Sequence, residues 1–152
     1  MNGSKRKAEK DDIKKLETHL KNYKTYKAAI RIIVKQLNHL VPGFVSCFEV
    51  GNVLDGRVTI ESLGKDMDRL SSVKFIKLYE ELLHYSIIVA SIDEAIAELD
   101  ETEYQFITSR YLKGKTIVQT SFDLGYSEKY VFNIRKATLN KLLISLKCLI
   151  FL

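Results

Sequence analysis

Apolar residues recur at alternating spacings of three and four over two long stretches, and this pattern constrains the fold more than any other feature. The first stretch spans residues 13–41 and the second spans residues 75–99. Such spacing places apolar side chains on one face of an α-helix. The first series is Ile13, Leu16, Leu20, Tyr23, Ile30, Val34, Leu37 and Val41, interrupted only by Lys27 at its expected position. The second is Phe75, Leu78, Leu82, Tyr85, Val89, Ile92, Ile96 and Leu99, without interruption.

Signals at the ends of both stretches indicate two long helices. Asp11 or Asp12 can cap the first helix, and Pro42 with Gly43 ends it, because neither residue continues a helix well. Ser71 or Ser72 can cap the second helix. We therefore expect helices over residues 12–41 and about 66–99, folded back on each other as a long antiparallel hairpin. The chain has only one proline and seven glycines, which favours an all-α fold.

The apolar stripe of the second helix is wider than one partner helix can cover. Ile76, Leu83, Ile87 and Ile88 lie beside the regular series, and the chain ends in an apolar segment, residues 149–152. A third surface must cover this stripe, and it is either the C-terminal module or a second protomer. We favour the second protomer and expect a homodimer.

The remaining N-terminal segments carry weaker signals. Residues 1–10 are polar and basic, and we expect a disordered arm there. The helical hairpin scaffold then covers residues 11–99, with a linker at 42–64. Asp55 and Gly56 within the linker can turn a short β-hairpin, but we favour a plain connection between the helices.

Residues 100–152 have the spacing of three short helices. Asp100 with Glu103, and Thr116 with Gln119, have the three-residue spacing of a capping box. A first helix then ends at Gly114, and a second runs to Leu124. Gly125 suits a tight turn, because glycine adopts positive φ at little cost, and Ser127 can cap a third helix. A short helix, a tight turn and a longer capped helix are typical of a helix-turn-helix.

The third helix has an apolar and a polar face. Val131, Ile134, Leu139 and Leu142 are expected to face inward, whereas Lys129, Asn133, Lys136 and Asn140 face outward. Asparagine pairs with adenine, and lysine or arginine binds guanine or phosphate. We predict that Lys129 and Asn133 contact base edges, that Arg135, Lys136 and Lys141 hold phosphates, and that Ser127 presents the helix N-terminus to a phosphate. The other interpretation is a three-helix core with a solvated basic face.

Charge is distributed unevenly along the chain. The net charge is +7 over residues 1–40, −6 over 41–100 and +4 over 101–152. A basic region at each end of an acidic scaffold is compatible with a polyanion as partner.

The cysteines indicate neither a disulfide nor a metal site. Cys47 and Cys148 lie far apart and form no metal-binding motif, so we expect free thiols in a reducing cytoplasm. We expect neither a metal nor a cofactor. The histidines have no serine, cysteine or carboxylate partners in a catalytic arrangement, so we do not expect an enzyme. We also expect no segment that spans a membrane.

At these residues the chain resembles two kinds of transcription protein. Residues 99–142, "LDETEYQFITSRYLKGKTIVQTSFDLGYSEKYVFNIRKATLNKL", are similar to the promoter-reading domain of bacterial sigma factors. Residues 11–145, apart from the linker, resemble the RinA/ArpU group of phage late-gene regulators. The resemblance includes the Leu20, Tyr23, Tyr26 spacing of the first helix.

The resemblance implies a sequence-specific, double-stranded-DNA-binding regulator of phage or prophage late genes, with host RNA polymerase as a further partner. The base-reading positions of sigma factors fall on Glu128, Lys129, Phe132 and Asn133. Phe132 departs from the polar residue usual there, and Thr120 departs from a larger aliphatic residue. Two alternatives stay open, which are a small terminase subunit that recognises packaging DNA and a sigma-like polymerase subunit. A ring would favour the first, and tight binding to core polymerase without DNA would favour the second.

Overall fold

The computed structural model describes residues 2–44 and 73–151, and every regular element within them is helical. The prediction of an all-α fold is confirmed. The α-helices are α1 (Asn2–Lys21), α2 (Tyr23–Leu40), α3 (Val73–Ala97), α4 (Glu101–Ile107), α5 (Ile117–Leu124) and α6 (Glu128–Ser145). A π-helix (Thr108–Leu112) follows α4, and a 3₁₀ helix (Lys147–Phe151) follows α6.

The first helix begins earlier than the sequence predicts. α1 starts at Asn2, so residues 2–10, expected to form a disordered arm, are helical and exposed. Lysine, arginine, alanine and glutamate are good helix formers, so the helix continues beyond its packed part. A second difference lies at Asn22, where a turn separates α1 from α2. The helical hydrogen bond from Asn22 N to Thr18 O (3.0 Å) is nevertheless present.

α2 ends where the sequence predicts, and most of the apolar series is buried. α2 stops at Leu40, and Gly43 has φ of 91°. Positions of both series are buried or half-buried, among them Leu16, Leu37 and Leu82 at about full burial. Several predicted features lie outside the described residues. They are the caps Ser71 and Ser72, the thiol of Cys47, and residues 45–64 of the linker.

The chain divides into two compact units, and the division differs from the predicted one. Lys24–Ala90 form a middle unit, and Met1–Tyr23 together with Ser91–Leu152 form a terminal unit. The prediction placed the first helix in a scaffold and residues 100–152 in a separate domain. In the structure α1 packs against the π-helix, α6 and the 3₁₀ helix, so the N-terminal helix belongs with the C-terminal module.

Two aromatic contacts inside the middle unit join α3 to α2 and to Phe44, which lies beyond the end of α2. The rings of Tyr26 and Tyr85 stack at 5.5 Å, and those of Phe44 and Phe75 meet edge to face at 6.2 Å. Residue numbers increase along one partner while they decrease along the other, which is the order of an antiparallel pair.

The terminal unit has a core to which several segments contribute. α4 packs against α5 and α6, and α5 packs against α6. Buried side chains come from α1, α4, α6 and the 3₁₀ helix, and include Leu20, Phe106, Leu142 and Leu149. This core fixes the position of α6 in its unit. Among the described residues, no helix is both long and apolar enough to cross a membrane.

Candidate functional site

The polar face of α6 follows a tight turn whose local geometry the sequence predicts correctly. At the start of α5, Gln119 N donates to Thr116 Oγ1 (3.2 Å) and Thr116 N donates to Gln119 Oε1 (3.0 Å), forming a capping box. α5 ends at Gly125, which has φ of 72° and donates its N–H to Ser121 O (3.0 Å). The positive φ favours glycine here, whereas space does not, because a Cβ at this position would meet no atom within 4 Å.

Ser127 begins α6 as predicted. Its Oγ accepts a hydrogen bond from Tyr130 N (3.3 Å), which satisfies one of the free N–H groups of the first turn. The hydroxyl proton of Ser127 stays available to a ligand, since a serine hydroxyl both donates and accepts. Residues 127–130 are all exposed, so the start of α6 is open to solvent.

The two faces of α6 differ as expected. Val131, Ile134, Leu139 and Leu142 are buried, in agreement with the prediction. Lys129, Asn133, Lys136 and Asn140 are exposed, and their spacings of four, three and four place them on one face. We call these four residues the polar stripe of α6. Glu128 and Phe132 lie beside it and are also exposed, with Phe132 exposed by 52%.

Arg135 is paired within the molecule. Its guanidinium donates to Glu17 Oε1 on α1, and Tyr111 Oη donates to the same oxygen at 2.8 Å. Burial alone would raise the pKa of Glu17, but the two hydrogen bonds and the charge of Arg135 hold that pKa below its usual value. The contact therefore joins α1, the π-helix and α6 through one carboxylate.

Lys141 is also paired. Its Nζ donates to Glu103 Oε1 at 2.7 Å, and this bond raises the pKa of Lys141. Glu103 is buried and completes the predicted capping box at the start of α4, where Glu103 N donates to Asp100 Oδ1 (2.8 Å). Two of the eight predicted site residues thus hold α6 to other segments, while the remaining six are exposed.

A further polar network fixes α5 against the end of α4. Asp123 Oδ2 accepts from Ser109 Oγ (2.9 Å) and from Lys115 Nζ (2.6 Å), and these bonds lower the pKa of Asp123. Ser109 Oγ also lies 3.4 Å from the buried Thr120 Oγ1 and can accept a hydrogen bond from that hydroxyl. A hydroxyl at position 120 therefore has a buried partner, which accounts for the departure from an aliphatic residue.

Two features of this region, a contact between distant residues and an exposed aromatic patch, were not predicted from the sequence. Glu17 lies 118 residues from Arg135 along the chain, so no local spacing could connect them. Tyr126 and Tyr130 form an exposed pair with ring centroids 4.7 Å apart, and Phe122 of α5 is 82% exposed. The number of aromatic residues around the Gly125 turn was a visible signal for such a patch.

A shallow groove beside α6 brings together two predicted site residues. Asn133 and Lys141 line it with Tyr130 from the same helix, and Asp100 and Glu103 close the opposite side. Its volume is about 350 Å³. No group of three or more His, Cys, Asp or Glu side chains suited to a metal ion occurs in the part of the chain that the structure describes.

No protein-family model, curated protein or solved structure matches this chain.

Replacing Glu17 by Gln tests the contact between α1 and α6. We expect Glu17→Gln to lower the free energy of unfolding at pH 7 by roughly 1–2 kcal/mol, since it weakens a partly exposed, charged hydrogen bond. The pKa of Glu17 is lowered in the folded protein, so its contribution is present above the ordinary value of 4.5 and is lost as the pH falls below it.

Urea unfolding at pH 7, 4.5 and 3 measures this effect. The difference between parent and Glu17→Gln should shrink toward pH 3, whereas Glu9→Gln, an exposed carboxylate of the same helix, should resemble the parent throughout. A difference that did not change with pH would contradict the assignment.

Proposed function

We propose that this protein is a sequence-specific binder of double-stranded DNA that uses α6 as its reading helix. The observation that carries the proposal is the polar stripe of α6, four exposed lysine and asparagine residues on one face of a helix that follows a capped, tight turn. A solvated surface helix requires no such turn. The short α5, the glycine turn and the longer α6 together have the element order of a helix-turn-helix.

The dimensions and side chains of α6 suit a major groove. An α-helix with its side chains is about 10–12 Å across, and the major groove is about 12 Å wide. Lys129 and Asn133 lie in the first two turns, the part of a reading helix that enters deepest. Asn133 can pair with an adenine edge, and Lys129 can bind guanine acceptors.

Phosphate contacts would come from fewer residues than the sequence predicts. Lys136 is exposed, and the first N–H groups of α6 beside Ser127 can donate to a phosphate. Arg135 and Lys141 already neutralise Glu17 and Glu103, so their charges contribute less to DNA. We therefore assign phosphate binding mainly to Lys136 and Ser127, and a positioning role to Arg135 and Lys141.

The two remaining predicted residues have side chains suited to bases. The carboxylate of Glu128 can accept a hydrogen bond from the amino group of cytosine, and it would repel a phosphate. Phe132 is half exposed, so its ring is accessible to a thymine methyl group. Both residues lie beside the polar stripe and would extend the reading surface.

We further propose that DNA binding serves transcription regulation of phage or prophage late genes. This step rests on the resemblance of residues 11–145 to the RinA/ArpU group and on the sigma-like sequence of residues 99–142. Host RNA polymerase would then be a second partner, and the bacterial cytoplasm the place of action.

We also propose a homodimer. Val73, Ile76 and Ile87 of α3 are exposed by 69%, 46% and 43%, and the last two share one face with Leu83. An exposed apolar stripe on a helix is a surface suited to association. Two copies would present two reading helices to an operator with two-fold symmetry.

Substitutions in the polar stripe test the reading helix. Asn133→Ala should cost roughly 1–3 kcal/mol of binding free energy on the cognate site and relax the preference at one base pair. Lys136→Ala should weaken cognate and random duplexes alike, and reduce the salt slope by about one unit for the lost phosphate contact.

Titration of both duplexes at several salt concentrations separates the two effects. Ser145→Ala is the control, because Ser145 is exposed on the last turn of the same helix but on a different side from the polar stripe. If Asn133→Ala and Lys136→Ala both bound DNA as the parent does while remaining folded, α6 would not be the reading helix.

The dimer has its own test. Light scattering at micromolar concentration should give twice the chain mass of 17.5 kDa. Ile87→Glu should shift the mass to that of one chain, because it places a charge in the apolar stripe, whereas Lys77→Glu, exposed on another face of α3, should not. A parent protein of 17.5 kDa would refute the dimer, and a ring would support the small terminase instead.

A further inference from the structure

The first half of α1 extends beyond the core of its unit. Residues 2–11 are all exposed, and the first buried residue of the helix is Leu16. At 1.5 Å per residue, this exposed segment is about 15 Å long. A helix segment that is polar on every side packs against nothing in its unit, so its side chains are accessible to a ligand.

Four basic residues of this segment and the following turn lie on one side. Arg6, Lys10 and Lys14 are spaced by four, and Lys7 lies three before Lys10 and seven before Lys14. These spacings place all four on a single helical face. We call them the cationic stripe of α1. None of the four has an ion-pair partner among residues 2–44 and 73–151, although Glu9 and Asp11 border the stripe, three residues after Arg6 and four after Lys7, and Asp12 lies on another face.

The cationic stripe continues the side of α1 that contacts α6. Glu17 follows Lys14 by three residues and Lys10 by seven, so it lies on the same side of the helix. Glu17 binds Arg135 of α6 and Tyr111 of the π-helix. Glu17, which follows the cationic stripe on the same side of the helix, therefore attaches α1 to the reading helix.

The cations of the stripe repel one another in the free protein. Like charges four residues apart destabilise a helix, and Arg6, Lys10 and Lys14 form two such pairs in succession. A polyanion laid along this side would neutralise the charges and remove the repulsion. Duplex DNA is such a polyanion, with one negative charge for about every 1.7 Å of its axis.

We propose that the cationic stripe of α1 is a second DNA-binding element, which holds the phosphate backbone outside the segment that α6 reads. This inference rests on the proposed function, because it assumes that α6 brings the duplex to the terminal unit. The stripe makes no base contacts, so it adds affinity to every sequence and discriminates between none.

Two double substitutions in the full-length protein test the proposal. Lys10→Gln with Lys14→Gln removes two charges from the stripe, and Lys5→Gln with Lys15→Gln removes two charges from other faces of the same helix. All four lysines are exposed, and glutamine favours a helix about as much as lysine does. Circular dichroism checks that both variants retain the helix content of the parent.

The probe is a random-sequence 40-base-pair duplex, titrated between 50 and 300 mM salt. The stripe variant should lose about 1.8 units of the salt slope, about 0.9 for each phosphate contact, and bind about tenfold more weakly near 150 mM. The control should lose less than half a unit. Equal losses in the two variants, or no loss in either, would overturn the proposal.

The same titrations separate this inference from the proposed function. If Lys136→Ala weakens binding and the stripe variant does not, α6 binds DNA and the second element is refuted. If the parent protein does not bind the duplex at 50 mM salt, the proposed function fails, and the second element fails with it.

Discussion

The ion pair between Glu17 and Arg135 is the contact on which the arrangement of the terminal unit depends. It joins the first helix of the chain to the last α-helix, and Tyr111 binds the same carboxylate from the π-helix. Because the pair is partly exposed, weakening it should cost the unit roughly 1–2 kcal/mol of its free energy of unfolding. Around this contact, Leu16 and Leu20 of α1 enter the same core as Leu139 and Leu142 of α6.

Charges in α6 fall into two groups according to their partners. Arg135 and Lys141 face acidic side chains of other segments and hold the helix in place. Lys129 and Lys136 face solvent and are available to a ligand. Because of this division, α6 can pack firmly against its unit while Lys129 and Lys136 stay accessible to a ligand. Lys129 and Asn133 were predicted to contact bases, and Arg135, Lys136 and Lys141 to hold phosphates. Of these five, Arg135 and Lys141 are paired within the protein.

Local features were predictable from the sequence, and distant contacts were not. Both capping boxes, the positive φ of Gly125 and the cap at Ser127 depend on residues within three or four positions, so their spacing is visible in the chain. The π-helix, the start of α1 at Asn2 and the Glu17–Arg135 pair depend on tertiary packing or on marginal helix propensity. For the same reason the exposed face of α6 was predicted correctly, while the partners of Arg135 and Lys141 were not.

The central claim, that α6 reads DNA sequence, is tested most directly by selection from a random library of duplexes with the full-length protein. After several rounds at 150 mM salt, we expect one enriched motif, repeated with two-fold symmetry if the protein is a dimer. Binding through charge alone would retain duplexes without any preferred sequence. A library that stayed random in sequence after selection would show that α6 does not read DNA sequence.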